Sequence, residues 1–404
     1  MRRAMHVVIL GAGVVGVTTA YYLAERGHRV TVVDRASEYA SGASGGNGGQ
    51  LSYSFTDALA SPALLSKFPG MIAGTDPAFL IRPTINRQFV RWGWEFLRQC
   101  TKTKNRQNTL AVLELALRSG DLMTTLREKT SLEFSHRRAA KLVMLETSSA
   151  WEESKQVCQL KNRHGCDSQP IPIEQAVEIE PALTHMRNNY VGAVYSRSDE
   201  LGDTLAFTTQ LAEWLVQNHD VEFLMKTTVR NINTRNGRLA SVETTGETLK
   251  PDAVVVCLGA WSYALLRKLG IMTPIYPMRG YSVTLPCIET SNSVSITDPR
   301  SKTVFSRIGD QVRIAGFADF VGYDTGRDDA RCRELLRVAQ KTAPAIADYS
   351  TGSINPWGGL RPMTPNSQPL VGPSTIEGVH LNTGHGMLGW TLACVTGHDV
   401  AAGV

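Results

Sequence analysis

The sequence predicts a chain of two interleaved architectures, a parallel α/β sheet of the doubly wound kind and an α+β lobe built on a mostly antiparallel sheet. Three observations carry this expectation. A strand, a glycine turn, a helix and a second strand follow one another before residue 35. Past Arg138, apolar and β-branched segments recur without a helix between every pair, which is how antiparallel sheets read. The helix from Thr204 to Gln217 and the strand from Ala253 to Leu258 then return to the first style, so the chain is expected to cross between the lobes several times.

Taken in order, residues 6–10 (HVVIL) form a short apolar strand, and Gly11-Ala12-Gly13-Val14-Val15-Gly16 follows as a turn. Ala20, Leu23 and Ala24 then share one face of a helix, and Val30 to Val33 make a second strand that ends in Asp34. Segments 59–72 and 76–104 carry prolines at 62, 69, 77 and 83, which favours loops and short helices over more parallel sheet. Residues 107–128 read as one long amphipathic helix, with Leu110, Leu113, Leu117 and Leu122 at helical spacing. Strands are expected at 141–145, 190–195, 281–285, 303–305 and 311–317.

Bulk properties narrow the classes. With 404 residues, of which 42% are hydrophobic and 20% charged, the chain can bury more than one core. A net charge of +5 suits an anionic cofactor or substrate, and no concentrated basic stripe points to a nucleic-acid partner. Seven scattered cysteines with no C-x-x-C pair and no metal-like grouping are read as reduced thiols in a cytoplasmic setting. The N-terminus runs straight into a strand, so no signal peptide is expected, and no apolar run is long enough to span a bilayer. Membrane contact would then be peripheral. The stretch from Phe79 to Arg106 offers it, mixing Phe89, Trp92, Trp94 and Phe96 with several arginines and lysines, although aromatics at such spacing also suit a core.

The G-x-G-x-x-G turn carries a physical mechanism. Gly11 permits the sharp turn, Gly13 lets the backbone approach a pyrophosphate, and Gly16 lets the helix pack closely on the strand. Phosphates then rest on a helix N-terminus, where free N–H groups and the dipole favour anions. Asp34, 18 residues past Gly16, stands where a carboxylate accepts hydrogen bonds from a ribose. This motif does not separate FAD from NAD. The loop from Ala43 to Ser52 adds many backbone N–H groups with little side-chain bulk, and a strand ending at Gly259 gives a second close backbone passage. Asn382-Thr383-Gly384-His385-Gly386-Met387-Leu388-Gly389-Trp390-Thr391 precedes a final helix whose N-terminal dipole would stabilise negative charge growing on a reduced flavin. Asp199, Glu200 and Asp203 are read as solvated charge and a helix cap rather than an acid cluster.

These segments, together with Tyr276-Pro277-Met278-Arg279-Gly280-Tyr281-Ser282 and Gly359-Leu360-Arg361-Pro362-Met363-Thr364-Pro365, resemble bacterial FAD-dependent D-amino acid dehydrogenases. Those proteins lie within the wider family of D-amino acid, glycine and sarcosine oxidases, and the resemblance runs through essentially the whole chain. It implies a Rossmann-like FAD-binding domain of the glutathione-reductase type and an α+β substrate domain roofing the flavin. The boundaries it suggests are 1–58, 173–262 and 353–404 for the first domain and 59–172 and 263–352 for the second. FAD, held non-covalently, is expected to contact Gly11, Ala12, Gly13, Val14, Val15, Gly16, Asp34, Arg35, Ser44, Asn47, Gly49, Gln50, Leu51, Val229, Gly259, Gly386, Leu388, Gly389, Trp390 and Thr391.

The reaction implied is oxidation of a D-amino or imino acid, D-proline and hydroxyproline among them, to an imine that water hydrolyses to a 2-oxo acid. Electrons would pass to a quinone or the respiratory chain. An oxygen-using oxidase of the glycine or sarcosine type shares every one of these motifs. A flavin-bearing RNA-modification protein would need a fused methyltransferase region or a dense basic face, and neither is visible; a flavin-binding protein without catalysis is the remaining class. The chemistry needs little acid–base equipment beyond an α-hydrogen held at the flavin and a cation on the carboxylate. Arg361 is the candidate clamp, by its planar fork and by the place of this arginine in related oxidases. Tyr281 would supply a hydroxyl or a ring wall, and His385 would contact the ring or substrate or else brace its loop. Ala43 and Met387 depart from the threonines common in the family at those points.

Overall fold

The computed structural model describes residues 4–72, 74, 76, 78–82, 86–326, 328–351 and 354–404; Pro77, Pro83 and the expected boundary at 352/353 lie outside them. The strand His6–Leu10 splits its side chains by the period of two. Val7 and Ile9 face a helical layer, and Val8 and Leu10 face a small antiparallel sheet. Each such valine or leucine removed from water contributes roughly 1.5–3 kcal/mol, so a strand buried on both faces is a strong seed for the core. The helical layer comprises Val14–Glu25, Thr204–His219 and Gly389–Gly403. The opposite layer is the three-stranded sheet Val229–Arg235, Arg238–Thr244 and Thr248–Leu249.

Between them lies a six-stranded sheet in the order Leu370–Pro373, Val379–Thr383, Ala253–Val256, His6–Leu10, Arg29–Val33, Glu222–Leu224. All its pairs are parallel except the edge pair Leu370–Pro373 with Val379–Thr383. This is the α/β architecture expected from the N-terminal motif.

The second architecture is a nine-stranded, mostly antiparallel sheet. Its path runs Asn355–Met363, Tyr276–Pro286, Gln311–Phe320, Thr303–Ile308, Ser295–Asp298, Lys141–Leu145, Gly192–Ser196, Ser168–Pro172, and Phe79–Ile81 adds in parallel to Gln311–Phe320. Two of these strands, Gly192–Ser196 and Asn355–Met363, fall in ranges assigned from the sequence to the FAD-binding domain. Their ladders to Lys141–Leu145 and Tyr276–Pro286 place them in the large sheet instead. The long helix is Lys102–Thr130, capped by Thr101, and Val112 and Ala116 pack on Leu392 and Val395 of the final helix.

Two sequence expectations change here. Asp203 does cap its helix, accepting from the N–H groups of Leu205 and Ala206, but Asp199 and Glu200 are buried rather than solvated. The aromatic helix Arg87–Gln99 turns Trp92 and Phe96 into a core with Tyr276 and Phe320, so those two rings cannot meet a membrane. Its outer face leaves Val90, Trp94 and Leu97 exposed. All seven cysteines are free thiols, and no helix among the described residues is long and apolar enough to cross a membrane.

Candidate functional site

A cavity of about 830 Å³ runs from the glycine turn to the large sheet. Its first wall is the turn itself. Gly11 has φ of +110°, and a Cβ there would stand 2.6 Å from the Cys257 carbonyl oxygen; a Cβ on Gly16 would stand 1.9 Å from the Gly11 oxygen. Backbone therefore occupies both places, and only glycine fits. Gly13 instead opens toward the cavity, the nearest atom to an added Cβ being Ser44 Oγ at 3.3 Å. No side chain caps the helix at Gly13, although Ser44 Oγ accepts from Val14 N at 3.0 Å. Asp34 accepts from Ala12 N at 2.7 Å and from Ala36 N at 2.8 Å, which fixes its carboxylate at the rim.

The start of the helix Gly389–Gly403 also lines the cavity, and its first turn likewise lacks a side-chain cap. His385 is buried and shares a 3.0 Å hydrogen bond with Thr396 Oγ1, and burial pushes its pKa down to about 3. The bond ties the loop to the final helix, and His385 also lines the cavity.

Arg361 is placed by strand geometry. Trp357, Gly359 and Arg361 alternate along Asn355–Met363, and Gly359 pairs with Gly280 of the neighbouring strand. A Cβ on Gly359 would fall inside the Trp357 ring at 2.0 Å, and one on Gly280 would meet the Arg361 guanidinium at 2.3 Å. The paired glycines therefore form a floor on which the indole and the guanidinium lie. A bulge opposite Gly280 gives Phe317 a φ of +60°, and its carbonyl accepts from Arg361 Nη1 at 2.8 Å. Among the described residues no carboxylate pairs with Arg361, and burial pushes its pKa down to about 10. Arg361 lines the cavity.

Tyr281 also borders the cavity, yet its hydroxyl donates to Asp319 Oδ2 at 2.8 Å. Asp319 is fully buried and receives Arg331 through two further hydrogen bonds, at 2.9 and 2.7 Å. The hydroxyl is committed to this network.

Of the residues expected at a cofactor, Gly11, Gly13, Val14, Val15, Asp34, Arg35, Ser44, Asn47 and Gln50 line the cavity, as do Val229, Gly259, Gly386, Leu388, Gly389 and Trp390. Five stand behind the wall. Ala12 and Gly16 hold the turn, Gly49 donates its N–H to Asn47 Oδ1, Leu51 is core, and Thr391 Oγ1 accepts from Ser52 N. Sequence reasoning missed Trp357, Met278, Phe317, Phe55 and Phe79, all on the cavity. For Trp357 a signal existed, its spacing of two from Gly359 and four from Arg361, which places all three on one face of a strand.

These features fit a dinucleotide with a flavin ring. The open helix N-terminus at Gly13 suits a pyrophosphate, Asp34 an adenosine ribose, and the uncapped helix at Gly389 the electron-accepting side of the ring. Among the described residues no cluster of histidine, cysteine and carboxylate groups could hold a metal ion.

Comparison with known proteins agrees. Residues 6–402 match the family model DAO, FAD dependent oxidoreductase. A D-amino acid dehydrogenase of Dechloromonas aromatica is 37% identical, over 98% of this chain and 96% of that protein. One from Vibrio vulnificus is 33% identical over 98% and 94%. Among solved structures, glycine oxidase from Geobacillus kaustophilus superposes with a TM-score of 0.77 at 20% identity, over 100% of this chain and 95% of that one, a likeness of fold.

Proposed function

The chain belongs to the DAO family of FAD-dependent oxidoreductases, and from that premise we propose that it oxidises D-amino acids to imino acids as a dehydrogenase. The observation that carries this reading is Arg361, a desolvated guanidinium without a carboxylate partner among the described residues, seated on a glycine floor at the cavity. With Nη1 held by the Phe317 carbonyl, Nε and Nη2 are left to take a carboxylate in paired hydrogen bonds. Relatives of 32–37% identity that carry the name D-amino acid dehydrogenase support the substrate class.

FAD, when bound, supplies the acceptor for the hydride that leaves the substrate's α-carbon. The protein's part is to hold and exclude. Gly13 and the helix it opens hold the pyrophosphate, Asp34 the ribose, and Arg361 the carboxylate, while Phe55, Met278, Phe317 and Trp357 keep the reacting carbon among apolar walls. Neutral His385 holds the closing loop on the final helix rather than moving a proton.

The electron acceptor in this reading is a quinone met at a membrane surface. Val90, Trp94 and Leu97 form an exposed apolar stripe on the helix Arg87–Gln99, flanked by exposed Arg87, Arg98 and Lys102, with Arg91 tied to Glu95 at 3.0 Å. Such a face suits an anionic bilayer.

The test is anaerobic addition of D- and L-alanine, D-proline and D-hydroxyproline to the holoenzyme while the visible flavin absorbance is followed. Bleaching by D-forms alone is expected, and flavin left oxidised by all of them overturns the reading. Mixing the reduced enzyme with oxygen or with a soluble quinone then separates dehydrogenase from oxidase. Co-sedimentation with phosphatidylglycerol vesicles, lost in Trp94→Ser, checks the membrane face.

A further inference from the structure

One buried titratable group has no part in the machinery so far described. Lys141 opens the strand Lys141–Leu145 and is 1% exposed. Its Nζ donates to Ser52 Oγ at 2.8 Å and to Gln50 Oε1 at 2.9 Å, and it lies 4.3 Å from the centre of the Phe55 ring. Ser52, Gln50 and Phe55 all line the cavity, so the amine stands directly behind its wall. No carboxylate among the described residues lies within ion-pair distance of it. Buried lysines ordinarily acquire such a partner or lose their charge.

We propose that Lys141, acting through Ser52, takes the proton that the substrate ammonium must lose before its α-hydrogen can leave as hydride. The inference rests on the amino acid oxidation proposed above, in which the oxidised species is the neutral amine. The exchange balances without any other reagent. The Ser52 hydroxyl passes its proton to the lone pair of neutral Lys141, and Ser52 Oγ receives the ammonium proton in turn. R–NH₃⁺ and Lys–NH₂ become R–NH₂ and Lys–NH₃⁺, and Lys141 returns the proton to solvent as product leaves.

The surroundings let Lys141 be neutral at an accessible pH. Burial is the largest influence and lowers its pKa to about 8; Asp199 and Asp57 oppose this, and Lys161 adds to it. Asp57 is itself engaged by Lys161 at 2.7 Å, and Asp199 takes the N–H of Ser54 at 2.9 Å. The flanking strands present Ser196 and Ser295 in register, neither of them charged. The group is therefore protonated below about pH 8 and available as an acceptor above it.

The experiment is the pH dependence of anaerobic flavin reduction by D-alanine in the holoenzyme, for the parent protein, Lys141→Met and Ser52→Ala. In the parent the second-order rate should fall tenfold per pH unit below about pH 8. Both variants should lose that limb and show instead the ionisation of free D-alanine, moved up by roughly one unit or more, with a tenfold or greater deficit at neutral pH. A limb that stays in place in both variants overturns the proposal. Should Lys141→Met fail to fold, Ser52→Ala carries the kinetic test. Amine NMR of the ¹⁵N-lysine-labelled parent gives an independent reading, because one lysine should titrate near pH 8. If every lysine titrates near the ordinary 10.4, the proposal falls. A parent flavin that no D-amino acid reduces refutes the amino acid reading itself, whereas reduction with an unmoved limb refutes only the part given to Lys141.

Discussion

Replacing Arg361 by methionine is the perturbation whose size can be worked from the structure. Nη1 is spent on the Phe317 carbonyl at 2.8 Å, so the substrate carboxylate would receive two charge-assisted hydrogen bonds from the remaining edge. Each is worth about 1.5–3 kcal/mol, together about 3–6. At about 1.4 kcal/mol per factor of ten, kcat/KM should fall by roughly 10²- to 10⁴-fold. Stability should change little, because methionine gives up the bond to the Phe317 carbonyl along with the burial cost that lowers the guanidinium's pKa. Arg361→Lys should fall between, keeping charge but losing the planar fork. The assay is stopped-flow anaerobic flavin reduction over a range of D-alanine concentrations, with flavin content and thermal unfolding measured in parallel. A loss in kcat/KM under about tenfold at full flavin content would show that the carboxylate is held elsewhere.

Three further outcomes are expected. Gly13 has φ −78° and ψ 174°, which alanine adopts without backbone strain, and its added Cβ would meet only Ser44 Oγ, at 3.3 Å, so Gly13→Ala should change the stability of the flavin-free protein by less than about 1 kcal/mol while its FAD affinity drops; Gly16→Ala, whose Cβ meets the Gly11 oxygen at 1.9 Å, should cost clearly more stability, and calorimetry with FAD titration separates the two. Tyr281→Phe should lower stability by about 1.5–3 kcal/mol through the lost bond to Asp319 yet leave kcat/KM within a few-fold, and a large kinetic defect would return the hydroxyl to the reaction. His385 accepts a proton near pH 3 when folded but at 6.5 in its ordinary state, so the unfolded chain binds more protons between these values and stability falls as pH drops below 6.5, by up to about 1.4 kcal/mol per unit. His385→Gln should flatten that decline in thermal-unfolding midpoints, and an unchanged slope would contradict a neutral buried imidazole.

Much of the site was legible because its first half is local. Gly11, Gly13, Gly16 and Asp34 lie within one strand–turn–helix–strand unit, where spacing alone fixes which backbone atoms face a phosphate. The uncapped final helix was legible for the same reason. Trp357, Met278 and Phe317 were not, since they reach the cavity by pairing between strands whose partners stand 25–40 or 71–87 residues apart in sequence, and register is a property of the assembled sheet. A bulge that gives Phe317 positive φ and aims its carbonyl at Arg361 leaves no mark in composition.

What the sequence by itself determined is the chemistry of the parts: a helix start suited to an anion, an acid suited to a ribose, a glycine-lined passage and a forked cation. Tertiary structure decided which of those parts are free to act. Tyr281 was drawn into a bond with Asp319, His385 was made neutral by burial against Thr396, and Asp199 and Glu200 were taken from solvent into the core. Lys141, unremarked in its strand, was set behind the cavity wall without a countercharge among the described residues. The physical reason is common to all of them. Burial and hydrogen-bond partners fix whether a polar group is charged, committed or available, and both are supplied by segments distant in the chain.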